Sequence, residues 1–436
     1  MKILSRYILT EFIKSFFISI MIIYAILLIQ VMIKLLDKFL GKGFDFSFLI
    51  QLLFYNTAWI FSMAVPMGIL IASILTFGKL SSNNEIIGFS ASGIKQFEII
   101  KPAILVSVVV CCLMIYFNCN ILPDMNHQSR NLNRELIKKR PDVEFEENIY
   151  SNIIPNHIIK FNERDKKNKK KFYDVSIYQM ENNNLRRSIV SDSVIINSND
   201  EYVELDLYNG SIHERISFNE EYRKIKFQNY AMTIPLYKFN NRKVHYFRGD
   251  RELTLKMLIN ANDSLSNKIN LLKDKINKRL ALFNIDTSSV NYKNLMSDID
   301  KNNEEKLSQL SDISEQKIFN IKSQANKTIV NGYLKNINRN ELKITKNRVE
   351  INKKFAIPIA SIVFIIIGAP LGIAIRRGNL AISMAISLMF FIIYYILIVG
   401  GEQLADRNMF NPILSMWIPN VIILLLGLTI IKLFKK

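Results

Sequence analysis

Cysteine is scarce in this chain of 436 residues, with Cys111, Cys112 and Cys119 all falling in one apolar run. There they act as small apolar residues, and a disulfide framework is excluded. The four histidines, His127, His157, His213 and His245, show no metal-ligand spacing. A phosphate loop is also missing: Gly41-Lys42 and Gly78-Lys79 lack both the upstream glycine and the following Ser or Thr of GxxxxGK-Ser/Thr. If ATP is used, another chain binds it. No HExxH, nucleophile elbow or paired-carboxylate constellation stands out, so no catalytic residue, metal or cofactor is assigned to the chain itself.

Charge is absent from six long stretches: Phe16 to Ile33, Leu49 to Gly78, Pro102 to Leu122, Phe355 to Ile375, Leu380 to Val399 and Pro412 to Ile431 contain no Lys, Arg, Asp or Glu. A bilayer core about 30 Å thick needs roughly 20 apolar residues of helix, at about 1.5 Å each, to cross it. The expected fold is therefore an α-helical membrane protein with six transmembrane helices in a 3+3 layout around a large polar middle. Lys2, Arg6 and Lys14 before the first run could pass for a secretory leader. The run is too long for a leader core and no small-residue cleavage site follows, so a retained first span is expected.

Positive charge in short loops sets orientation. Lys2, Arg6, Lys14, Lys79, Lys95, Lys101, Arg376, Arg377, Lys432, Lys435 and Lys436 would face the cytoplasm, against Lys34, Lys38, Lys42 and Arg407 opposite. Residues 123 to 354 then lie outside the cytoplasm. The formal charge of +19 divides into +11 on those residues and +8 on the rest. The +8 fits orientation and anionic headgroups. The +11 fits either a polyanionic ligand or a solvated basic surface, and no nucleic-acid partner is expected.

The chain is expected to divide into a first membrane half (1-122), a β jelly-roll domain (123-255), a helical coiled-coil insertion (256-350) and a second membrane half (351-436). In the second of these, Val203, Leu205 and Leu207 alternate with Glu204, Asp206 and Tyr208. Asn209-Gly210 is expected to make a tight hairpin turn before Ile212 and Ile216. Val175 and Ile177, Val194 and Ile196, Ile225 and Phe227, and Met232 and Ile234 repeat the period of two, as in an antiparallel sandwich or jelly roll. Its interior serves equally as a plain core or as a place for acyl chains. In the insertion, Leu258, Leu265 and Leu272 recur every seven residues, with Ile269, Ile276 and Phe283 completing an a/d seam. A break near Asn284 to Asn294 suggests a helical hairpin.

Between the second and third runs lies Ser81 to Gly93, SSNNEIIGFSASG. Ser82, Asn83 or Asn84 can cap a short helix, Glu85 suits its positive end, and Gly93 can end it in the left-handed conformation. Ile86, Ile87 and Phe89 would present apolar surface either to a partner or to the membrane surface. Pro66, Pro358, Pro370 and Pro419 lie inside the runs and loosen their helices, for bending or for static packing.

Five segments resemble the lipopolysaccharide-export permeases of the LptF/LptG type. They are LSRYILTEF at Leu4 to Phe12, IKLLDKF at Ile33 to Phe39, NEIIGFSASG at Asn84 to Gly93, EINKKFAIPIASIVFIIIGAPLGIAIRRG at Glu350 to Gly378, and GEQLADRNMFNPILSMWIPN at Gly401 to Asn420. The resemblance implies one permease of an ABC transporter in the bacterial inner membrane, with a second, paralogous permease and a cytoplasmic ATPase dimer that holds ATP and Mg. Such a complex takes lipopolysaccharide from the membrane and passes it to periplasmic bridge proteins through jelly-roll domains. It further implies that Glu85, Ile86, Ile87, Phe89 and Gly93 belong to a coupling helix set in the ATPase. Ser90 stands where many members have a basic or amide side chain. Lys34, Asp37 and Lys38 would meet lipid phosphate, Lys34 with Asp37 matching the G-type motif, although an interfacial lysine also snorkels to headgroups without any substrate. A helical insertion of this length departs from the short form of the family. Two other readings are an envelope scaffold or sensor that does not transport, and an ABC exporter of another lipid.

Overall fold

The computed structural model describes residues 2–39, 46–139, 147–152, 156–165, 168, 170–181, 184–198, 202–215, 222–235, 247–281, 295–309, 312–375 and 379–434. The break near Asn284 to Asn294, Phe283, Ile216, Lys42, Arg376 and Arg377 lie outside the described residues. Two compact units emerge, one of residues 1–25, 59–124 and 249–436, the other of residues 26–58 and 125–248.

Among the described residues, six helices are long and apolar enough to cross a membrane. They belong to α1 (Lys2–Phe39), α2 (Phe46–Ser82), α4 (Gln96–Tyr116) with its continuation, α8 (Ile313–Ile375), α9 (Leu380–Asp406) and α10 (Pro412–Phe434). Lys79 in the last turn of α2 reaches Glu11 of α1 at 3.3 Å. Between α2 and α4 lies the short helix α3 (Glu85–Ala91). A π-helical turn, Phe117–Ile121, joins α4 to α5 (Leu122–Lys139).

In the first unit, α1, α2, α3, α4 and α8 share one apolar core containing Phe12, Ile69, Phe77, Ile99 and Ile365. Leu70 and Ile74 of α2 pack with Phe364 and Ile367 of α8, Tyr394 of α9 and Ile423 of α10 in a second core. Small residues permit the close α2–α8 contact. A Cβ on Gly372 would stand 2.7 Å from the Ile74 carbonyl oxygen and 3.0 Å from the Gly78 nitrogen, both backbone atoms that cannot yield. The prolines interrupt nothing: α2 runs through Pro66, α8 through Pro358 and Pro370, and α10 through Pro419.

The polar residues from Leu255 onward build three helical segments, α6 (Leu255–Ala281), α7 (Leu295–Gln309) and the first half of α8. Ile269, Ile276 and Leu280 meet Leu295 and Ile299 of α7 and Val330, Leu334 and Ile337 of α8. The heptad seam is present, with Leu258, Ile269 and Ile276 buried and Leu265 and Leu272 half-buried. What the seam could not reveal is that α8 runs 63 residues without interruption from this bundle into the apolar run.

In the second unit, β1 (His157–Lys160), β2 (Glu163–Arg164), β3 (Lys171–Glu181), β4 (Asn184–Ser198), β5 (Tyr202–Arg215) and β6 (Tyr222–Pro235) form one antiparallel sheet. Strand order is β1-β3-β4-β5-β6, with β2 on β3, so sequence neighbours from β3 to β6 are also spatial neighbours. The expected hairpin at Asn209-Gly210 is corrected: both residues lie inside β5, where Gly210 pairs with Ser191 and Phe227. Asn209 does have the positive φ expected of it, +48°. It uses that conformation to kink a strand, not to end one. Buried positions change phase there, from Val203, Leu205 and Leu207 to Ile212. The kink crosses the sheet. Pairing is skipped at Asp174, Asp192 and Asn209, and the buried sets switch from Phe172 to Val175 and Ile177 in β3 and from Ile189 and Ser191 to Val194 and Ile196 in β4. All of these apolar side chains nonetheless join one core, so the bend keeps them on one interior. Ile225, expected inside, is exposed at 37% because β6 is an edge strand.

Candidate functional sites

The segment between α2 and α4 is held in place by backbone geometry. Asn84 takes a left-handed φ of +61° and its backbone carbonyl accepts the Gly88 N–H, without any side-chain cap. The expected capping side chains are otherwise engaged. The Ser82 hydroxyl donates to Lys79 O and the Asn83 amide to Glu85 Oε1. Gly93 ends the segment at φ +78°, a conformation strained for any residue with a Cβ, and its N–H reaches Ser90 O. The seven residues of α3 are anchored to α1: Tyr7 donates its hydroxyl to the half-buried Glu85 carboxylate.

The apolar face expected toward a partner divides in two. Ile86 is only 5% exposed and sits with Ile8, Phe12, Leu80 and Ile99, and Phe89 packs against the same core. Only Ile87, 55% exposed, turns outward, beside open Gly88 and exposed Ser90. The sequence alone has Ile86, Ile87 and Phe89 all presenting apolar surface, because the segment's own residues do not show what packs on it. The folded-back α1 and α4 supply the core it needs. Its link to the spans is direct, because Ser81 donates to Ile373 O of α8 at 2.9 Å.

Lys34 lies on α1 and is exposed, flanked by exposed Ile33 and Leu36. Asp37 and Lys38 continue the same helix, and their side chains fall outside the described residues. The neighbouring contact is apolar: Leu52 of α2 is buried among Leu35, Phe48, Leu49 and Leu132.

A third constellation, missed in the sequence, gathers where α8 enters its apolar run. Glu402 of α9 accepts from Arg251 Nη2 at 2.9 Å and from Lys353 Nζ at 2.7 Å. Glu350 lies 3.4 Å from Arg251 Nε and 3.7 Å from Lys353 Nζ. Burial alone would lower the Arg251 pKa, but Glu402 and then Glu350 outweigh it and hold the group above its ordinary value. Beside the cluster, Trp417 donates to Asn352 Oδ1 at 3.1 Å, and Asn420 donates to Ala356 O at 2.9 Å. Charges at 251, 350 and 402 carry no local pattern that would connect them. The one available signal was that EINKK and GEQLAD place charges beside apolar runs, where ionic groups need partners.

The geometry therefore offers a short helical turn with one outward apolar side chain, an exposed lysine on α1 and a charge cluster that ties helices together, in a chain of membrane-length helices and a folded sheet. No curated protein is similar enough to the chain to match it. Residues 6–433 match the model of the lipopolysaccharide export system permeases LptF/LptG, and the chain belongs to that family.

Proposed function

We propose that this chain is one permease of an ABC transporter in the bacterial inner membrane, lifting lipopolysaccharide out of the bilayer toward a periplasmic bridge. The match to the export permeases over residues 6–433 carries this reading. In it, a paralogous permease completes the membrane part and an ATPase dimer supplies ATP hydrolysis. The six spans divide three and three, residues 123-255 act as a periplasmic jelly-roll domain, and 256-350 stand as a separate helical insertion. The sheet's single apolar interior supports a role in receiving acyl chains, since an interior lined by Val, Ile, Leu and Phe accepts hydrocarbon as readily as side chains.

The coupling role falls to α3. Ile87 is the side chain available to an ATPase groove, while Ile86 and Phe89 fasten the turn to the bundle. Movement of α3 passes to α8 through α2, by way of the Ser81 bond to Ile373 O. Glu85 holds Tyr7 and Asn83, so Glu85→Lys removes both acceptor contacts and reverses a charge. Copurification from detergent is expected to bring an ATP-binding subunit with the wild-type chain. With Glu85→Lys, about tenfold less of it should follow, in line with loss of charge-assisted bonds. Full recovery together with normal export would remove the coupling role. At the other end, Lys34 offers an exposed ammonium to lipid phosphate, and Lys34→Asp should reduce photocrosslinking to lipopolysaccharide several-fold. Unchanged crosslinking would leave Lys34 an interfacial anchor.

A further inference from the structure

The π turn at Phe117–Ile121 is followed at once by Pro123, and the two together leave the Asn118 carbonyl without a helical donor. The Leu122 N–H bonds to Phe117 O, the π pattern, so it is not spent on Asn118 O as in a regular α-helix. The next N–H in the π series would come from residue 123, where proline has none. Asn118 is only 1% exposed, so water cannot serve its carbonyl. An orphaned acceptor at such a site is costly.

We infer that Lys354 is a positioning residue that supplies the hydrogen-bond donor Pro123 removes, thereby fixing the register of the π turn after α4 against α8. Its Nζ donates to Asn118 O at 3.0 Å, and the lysine is 7% exposed, at the last position before the apolar run of α8 begins. A second contact holds the same residue from the other side: Ser62 of α2 donates to Asn118 Oδ1 at 2.8 Å. Three helices thus converge on one asparagine. The adjacent Lys353 pairs instead with Glu402, so consecutive lysines bind α8 to the π turn and to α9. A lysine at the membrane edge usually reaches for headgroups. This one turns inward to a carbonyl.

The test uses Cys119, which lies in the π turn and is 6% exposed. In full-length protein in native membranes, with Cys111 and Cys112 replaced by alanine, Cys119 is the sole thiol. Its labelling rate with N-ethylmaleimide then reports the turn. Lys354→Met keeps side-chain length and removes the donor. It is expected to label about tenfold faster than Lys354→Met with Pro123→Ala, both variants lacking the ammonium beside the thiol, the scale of losing one buried hydrogen bond. Pro123→Ala restores an N–H at residue 123, so Lys354→Met with Pro123→Ala should label slowly again, and Pro123→Ala alone should label like the parent. If Lys354→Met fails to accumulate in the membrane, its accumulation must be recovered by Pro123→Ala. Equal labelling of Lys354→Met with and without Pro123→Ala, or an accumulation defect that Pro123→Ala leaves in place, overturns the inference.

Discussion

The spans α2 and α9 are both apolar enough to cross a membrane and have opposite surroundings. The most apolar stretch of the second span is 83% buried within the chain, and that of the fifth only 22%. The fourth span resembles the second at 67%, and the first resembles the fifth at 17%. Hydropathy alone is a poor guide to these surroundings, since the sixth span, the least apolar of the six, is only 33% buried, and lipid and protein interior are equally apolar. Packing in membranes depends on close backbone approach and on hydrogen bonds between helices. The α2–α8 pair has both, in Gly372 against Ile74 and in Ser81 bonded to Ile373 O. Along α9, by contrast, Leu388, Met389, Ile392 and Ile396 face away from the chain.

The comparison can be broken at its tight end. Gly372→Val forces a branched side chain into the α2 backbone and should cost about 3 kcal/mol or more, visible as lost thermal stability in detergent. If the protein tolerates it, the α2–α8 contact is not what holds the two buried spans together. A smaller effect is expected where α9 joins α8. Glu402→Gln keeps the shape and weakens the pairs to Arg251 and Lys353, which should cost about 1 kcal/mol, since the cluster is only partly shielded from water. Least of all, Ile396→Ala on the outer face of α9 should change the stability of the isolated chain by about 0.5 kcal/mol or less. A large loss there would mean that α9 is not turned outward.

The same contrast explains what the sequence disclosed. Six uncharged runs are visible because each must match the bilayer on its own, and the insertion's seam is visible because heptads repeat locally. The alternation of Val203, Leu205 and Leu207 also predicted their burial correctly. Asn209 was a correct backbone signal with the wrong consequence. A left-handed residue can reverse a chain or merely kink it, and only pairing with β4 and β6 decides. Ile86 and Phe89 look outward in the sequence because seven residues contain no information about the core that α1, α2 and α4 build around them. The Arg251–Glu350–Lys353–Glu402 cluster joins residues far apart in the chain, and its partners could not be chosen locally. At the π turn, Pro123 announced a missing donor. Lys354 as its replacement became apparent only when α8 and α4 were seen side by side.

The length of α8 has a mechanical meaning. At about 1.5 Å per residue, its 63 residues make a rod about 95 Å long, beginning in the helical insertion and ending beside Ser81. A tilt of about 5° at one end displaces the other by about 8 Å if the rod stays straight. Pro358 and Pro370 are where it can yield, and both lie in the apolar half, so the polar half moves as a stiff pointer. Small motions among the spans are thereby magnified at the insertion, and a force applied to the insertion returns to the spans with the same leverage.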